Sequence, residues 1–250
     1  GDQAQKLFDD ANEMLKKIIE NDWIELKSVI GIWSACSDGD DILLKNSDNS
    51  HLETFCMLRQ QTLKAKNNLS LSDYIAPKES GKNDYVGAFV CSADLYKGTP
   101  LVNFELDQDD YSTIMFKSIS DRLAEALTEY MHEKVRKELW GYSSDENYSN
   151  SDLIDEAYTG IRPAPGYTAC PDHTEKLKIF KILNAKKNIG ASLTESMAMS
   201  PSSTVSGYYF SHPNSKYFPV GKIQDDQIED YAKRKNMTIK EVRKWLLSNI

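Results

Sequence analysis

Apolar residues return at every third or fourth position from the start of the chain: Ala4, Leu7, Phe8, Ala11, Met14, Leu15, Ile18 and Ile19. That period places them on one side of a helix over about residues 3–21. The pattern then shortens. Apolar and β-branched runs at Ser28–Ala35, Asp41–Leu44 and Leu52–Leu58 predict strands, and the polar cluster Asn46–Ser50 predicts a hairpin turn between the last two. Asp84–Cys91 predicts a further strand. Helical spacing resumes from about Gln108 to Trp140, with Gly141 as the stop signal. On that helix Ile119, Leu123, Ala126 and Tyr130 share one side. Asp121, Glu125, Thr128 and His132 share the opposite one, which reads as a solvated face or, where it lines a cleft, as carboxylates that stabilise a cationic ligand. After polar turn residues 142–152 and a Pro/Gly-rich segment, a helix is predicted over Thr174–Lys187. Strands follow at Thr204–Ser211 and Lys216–Ile223, joined through His212–Ser215. Helices near 225–235 and 238–248 close the chain, the second opened by Thr238 and Glu241 at capping-box spacing.

Strands gather early and late with helices between them, without βαβ alternation. The order predicts an α+β fold, a mainly antiparallel sheet flanked by helices, in one domain over residues 1–250. Composition leaves that picture unchanged. The 250 residues are 40% hydrophobic and 27% charged, ordinary for a globular chain. The formal net charge of −8, from 30 Lys+Arg against 38 Asp+Glu, argues against nucleic acid as the main partner. No apolar run approaches the roughly 18 residues that span a bilayer, and no signal-peptide pattern is present. The first residue is Gly1, so the sequence reads as a piece of a longer chain whose N-terminal neighbour is absent. Cys36, Cys56, Cys91 and Cys170 lie far apart and predict buried free thiols in a reducing compartment. Cys170 and His173 have metal-pair spacing, but nothing nearby supplies two more ligands.

Dinucleotide, P-loop, zincin and nucleophile-elbow motifs are missing. The chemistry must sit elsewhere, and the densest unusual segment is Gly160-Ile-Arg-Pro-Ala-Pro-Gly-Tyr-Thr-Ala-Cys-Pro-Asp-His-Thr-Glu-Lys176. Pro163, Pro165 and Pro171 fix φ, whereas Gly160 and Gly166 permit turns closed to other residues. Such a loop is stiff. Arg162 offers a planar fork for a carboxylate, and Tyr167 a ring and a hydroxyl. A rigid surface connection whose arginine makes a structural ion pair is an equally open reading of these residues. Val205–Pro219 carries five aromatics in fifteen residues. Within it, Gly207 signals a close backbone approach or a bulge.

These segments resemble the C-terminal activation module of cobalamin-dependent methionine synthase. The matching runs are Leu71–Gly81, Asp121–Ala126, Gly160–Lys176, Leu193–Ser196, Val205–Pro213 and Asp225–Lys235, in the same order over nearly the whole chain. The resemblance implies a C-shaped domain that binds S-adenosylmethionine, with residues 1–22 a helix leading in from an absent cobalamin-binding domain. It implies a part in a methyltransferase: the module supplies a methyl group for reductive remethylation of cob(II)alamin held on that neighbour, with flavodoxin or an equivalent as reductant. Cobalt is then the nucleophile and no side chain here is catalytic. The implied location is cytoplasmic, and the isolated fragment is not expected to turn over alone.

Site residues follow from the same resemblance. Arg162 is expected to grip the ligand's α-carboxylate and Asp73 to face its amino group. Glu125 and Glu156 would lie near the cationic centres, and Tyr217 and Phe218 would pack beside the ligand. Ala164, Gly166 and Tyr167 complete the S-adenosylmethionine set, while Tyr167, Ala169 and His173 are expected to face cobalamin. Thr168 stands where a proline is common, Phe218 where a second tyrosine is common, and Met199–Pro201 lacks a frequent tryptophan. The competing reading is a non-enzymatic docking module for the cobalamin domain or the reductase, with a degenerate ligand site.

Overall fold

A computed structural model describes residues 1–63, 67–95 and 98–250. The first elements are α1 (Asp2–Glu20), β1 (Ile24–Asp38), β2 (Asp41–Lys45), β3 (His51–Cys56) and β4 (Asp84–Leu95). Then come α2 (Leu101–Leu106), α3 (Asp110–Lys134), α4 (Asn150–Ile154), α5 (Glu175–Ile182) and α6 (Ala185–Ile189). The last are β5 (Ser192–Leu193), β6 (Met199–Ser200), β7 (Thr204–Tyr209), α7 (Asp225–Lys235) and α8 (Ile239–Trp245). Five strands form one sheet in the order β3-β2-β1-β4-β7, and β5 pairs with β6. Antiparallel registers set Ala35 opposite Leu44 and Ile42 opposite Phe55. This is the α+β arrangement that the element order predicts.

The expected hairpin forms for a local reason. Asn46 N–H donates to Ser50 C=O at 2.8 Å, Asp48 accepts from the Ser50 N–H at 2.9 Å, and Asn49 takes a φ of +64°. Asn and Asp tolerate such turns because their short side chains bond the backbone. Thr238 likewise caps α8, accepting from Glu241 N–H while the Glu241 carboxylate accepts from Thr238 N–H.

The chain divides into two compact units. One comprises Gly1–Val29, Val90–Met131 and Ala185–Val205; the other comprises Ile30–Phe89, His132–Asn184 and Ser206–Ile250. In the first, Met14 and Ile18 of α1 pack with Leu101, Met115 and Phe116, and Trp23 lies against Phe116. Only the second half of α1 uses its apolar side this way; Leu7 and Phe8 are exposed. In the second unit, Phe55 packs on Tyr208 and Phe89 stacks on Tyr209, with ring centroids 4.8 and 4.6 Å apart. Gly207 makes the close approach its position signals: a Cβ there would lie 2.7 Å from Pro163 O. All four cysteines are free and buried. Among the described residues no helix is long and apolar enough to cross a membrane.

Three local expectations need correction. The polar side of α3 is not all solvated, because Thr128 and His132 are buried while Tyr130 on the supposed core side is exposed. The buried line runs Phe116, Ser120, Ala124, Thr128 and His132, and continues to Arg136 past the helix end. Ser120 and Thr128 hydroxyls donate to the carbonyls of Phe116 and Ala124, so their burial leaves no polar atom stranded. Lys216–Ile223 forms no strand: Pro219 lacks an N–H, and the segment is held by single bonds such as Val220 N–H to Thr168 O at 2.8 Å. The helix predicted over Thr174–Lys187 breaks into α5 and α6 at Asn184, which has a φ of +46°. The short elements α2, α4, β5 and β6 lack the periodic length that makes an element legible in sequence.

Candidate functional site

Ile161 to Gly166 alternate strictly between buried and half-buried. Ile161, Pro163 and Pro165 point inward, and Arg162, Ala164 and Gly166 share the other face. The prolines explain this. Each fixes its own φ and pushes the preceding residue into extended backbone, so the run has strand-like alternation. Ile161 exchanges two 3.0 Å hydrogen bonds with Phe210, and Tyr208 N–H donates to Pro163 O at 2.9 Å. The loop is thereby stitched to the chain at the end of β7. Gly160 and Gly166, at φ +92° and +98°, begin and end the extended run.

Arg162 is held through both its backbone and its side chain. Its backbone N–H donates to Tyr217 Oη at 3.0 Å. Its Nη1 donates to Tyr158 Oη at 2.7 Å and lies 3.2 Å from His132 Nδ1. His132 is fully buried, stacked on Tyr209 and edge-on to Tyr158. Burial, reinforced by the charges of Arg136 and Arg162, pushes its pKa down to about 2. The imidazole is therefore neutral, and Nδ1 accepts from the guanidinium. Arg136 in turn lies 4.1 Å above the Tyr158 ring and is tied to Glu146 through Nε at 2.8 and 2.9 Å.

Beyond Gly166 the chain turns tightly, with Tyr167 N–H bonded to Ala164 O and Cys170 N–H to Tyr167 O. This leaves the Tyr167 side chain 72% exposed on a braced turn. His173 lies over Gly166, where a Cβ would come within 2.3 Å of its ring, and its Nδ1 is 3.0 Å from Lys176 Nζ. Burial, then the nearby Lys176 charge, lowers the His173 pKa. Asp172 anchors the base of the loop. Its buried carboxylate accepts from Thr174, Tyr231 and Lys235, and Lys235 also bridges to Glu175 at 2.7 Å. Burial opposes ionisation of Asp172, but the Lys235 charge and these hydrogen bonds outweigh it and hold the pKa below 3.8.

The geometry thus brings Arg162, Ala164, Gly166 and Tyr217 together. The other expected residues stand in contacts of their own. Asp73 is committed within its own turn: Ser70 N–H and both Arg59 Nη atoms donate to its carboxylate at 2.7–2.9 Å. It caps that turn, with its side chain 36% exposed. Phe218 is turned inward with its ring edge-on to Tyr74, and Ala169 is buried by the turn around it, so neither presents a face outward. Glu156 is exposed at a φ of +52°. Glu125 pairs with Arg122 on the exposed side of α3. Thr168 contributes its carbonyl to Val220, which a proline would also supply. Tyr158 and His132 are the partners that sequence reading missed as such. The four-residue buried rhythm of α3 points to His132 once Ser120 and Thr128 are counted as buried.

A Pro-stiffened strip carrying an anchored guanidinium beside half-buried loop backbone is the candidate ligand-binding surface of this α+β fold. The family described as vitamin B12 dependent methionine synthase, activation domain, matches residues 1–236, and the chain belongs to that family. A crystal structure of the MetH reactivation domain bound to AdoHcy superposes with a TM-score of 0.96 at 50% identity. The match covers 100% of this chain and 78% of that one.

Proposed function

We propose that this chain binds S-adenosylmethionine along the Arg162–Gly166 strip and presents it to cobalamin carried by a partner domain. The observation that carries the reading is the alternation that sets Arg162, Ala164 and Gly166 on one face of a rigid segment. Arg162 supplies parallel N–H donors for the α-carboxylate. Ala164 and Gly166 offer main-chain groups with little side chain in the way, and Tyr217 bonds the Arg162 backbone from the flank. Bound S-adenosylmethionine contributes the methyl group on its sulfonium. The protein's part is positioning, because displacement at that carbon needs donor and acceptor nearly in line. A loop fixed by three prolines and the Asp172–Lys235 anchor suits that task better than a mobile one. Tyr167 and His173, beyond Gly166, face the cobalamin side on this reading.

The chain then acts as one domain of a methyltransferase, in the cytoplasm, with a flavodoxin-type reductant supplying the electron, and it does not turn over alone. The test is titration calorimetry of S-adenosylmethionine into the chain and its Arg162→Ala variant. Loss of a charge-assisted pair should weaken binding by about 1.5–3 kcal/mol, roughly 10- to 150-fold. Equal affinities, or no binding by the folded wild type, would reject the assignment.

A further inference from the structure

Arg162 is held by acceptors that have no evident need of it. His132 is fully buried, and its Nε2 has no hydrogen-bond partner among the described residues. With Nδ1 accepting from Arg162, the proton of the neutral ring must sit on Nε2, where it is stranded. A phenylalanine would stack on Tyr209 as well and strand nothing. Retaining the imidazole makes sense if Nδ1 has work to do. Tyr158 is locked just as firmly, its ring face under Arg136 at 4.1 Å and its edge toward His132 at a centroid distance of 5.0 Å. The two acceptors converge on one guanidinium nitrogen, at 2.7 and 3.2 Å.

We infer that His132 and Tyr158 are positioning residues for carboxylate recognition: by holding both hydrogens of Nη1, they aim the guanidinium before ligand arrives. An unanchored arginine samples many rotamers, and each must be frozen when a fork-to-fork pair forms. Anchoring one nitrogen shifts that ordering from binding to folding. The inference rests on Arg162 as the carboxylate grip and adds the groups that orient it. Neither residue touches the ligand in this scheme.

The test compares S-adenosylmethionine with decarboxylated S-adenosylmethionine, which differ only in the group Arg162 would hold. Calorimetry is run on the wild type, Tyr158→Phe, Arg162→Ala and the double variant, with thermal unfolding as a check on the fold. Tyr158→Phe keeps the ring under Arg136 and removes only the oxygen. It should weaken S-adenosylmethionine about 3- to 10-fold, the cost of freezing one long side chain. Binding of the decarboxylated ligand should stay within about twofold of wild type on the same scale. In the Arg162→Ala background the substitution should have no further effect. His132→Phe, still stacked on Tyr209 but without Nδ1, repeats the test at the second acceptor. Equal weakening of both ligands, no weakening of either, or additivity with Arg162→Ala would overturn the inference. If the wild type itself fails to prefer the carboxylated ligand, the Arg162 assignment falls and takes this inference with it. If the preference is present and is reduced only in Arg162→Ala, with Tyr158→Phe and His132→Phe keeping the wild-type ratio, the positioning role alone is refuted.

Discussion

Lys235→Met removes the cation from the buried cluster at the base of the loop and keeps most of its volume. The Lys235 side chain is 4% exposed, and its partners Asp172 and Glu175 are 2% and 0% exposed. Glu175 keeps Lys178 at 2.7 Å and the Cys56 N–H at 3.1 Å. Asp172 retains only the neutral donors of Tyr231 and Thr174. One buried carboxylate is thus left without a countercharge, which costs about 3–5 kcal/mol. With a urea slope of about 3 kcal/mol/M, the midpoint should fall by about 1–1.7 M at pH 7. The gap should also depend on pH. In the wild type the Asp172 pKa lies below 3.8, so its contribution is complete above that value and is lost as pH falls through the folded pKa. In the variant, burial prevails and the carboxyl takes up a proton more readily, which relieves the unpaired charge. The difference between the two proteins should therefore shrink from pH 7 toward pH 4, read by circular dichroism along urea titrations. A loss under about 1 kcal/mol at pH 7, or a gap unchanged at pH 4, would refute the account of the cluster as a paired anchor.

Gly207→Ala should push its new methyl into Pro163 O, since backbone rather than a flexible side chain stands 2.7 Å away. Overpacking of this kind costs about 1–3 kcal/mol, and hydrogen exchange at the Tyr208 amide should rise as its bond to Pro163 O loosens. A wild-type melting curve with unchanged exchange would contradict it. His132 should stay neutral well below the ordinary histidine range, so its imidazole NMR signals should not titrate between pH 4 and 8. Because the folded pKa is lowered from 6.5 to about 2, the stability it contributes is complete above 6.5 and declines as pH falls below it. At pH 5 the loss reaches about 2 kcal/mol. A His132 titration midpoint near 6.5 would show that the ring is hydrated.

Long periodic segments were legible because local spacing decides them. α1, α3, α7, the β2–β3 hairpin and the Thr238 cap each depend on residues a few positions apart. Where partners lie far away in the chain, the pattern misled. The run Lys216–Ile223 looks like a strand, yet among the described residues no neighbouring strand pairs with it. Thr128 and His132 look solvated by residue type, yet one satisfies itself on the preceding turn and the other is stacked under Tyr209.

The same division runs through the site. The Gly160–Pro171 segment, by its own prolines and glycines, determines a stiff extended loop and singles out Arg162, because φ restriction acts within a residue and on its neighbour. Only the tertiary structure decided which acceptors hold that arginine, that Asp73 is spent on Arg59, and that Asp172 leans on Lys235, 63 residues further along the chain. A hydrogen bond between distant residues leaves no periodic trace in a single sequence. The Asp172–Lys235 bond exists because folding brings the two groups into one low-dielectric place where neither can be left alone.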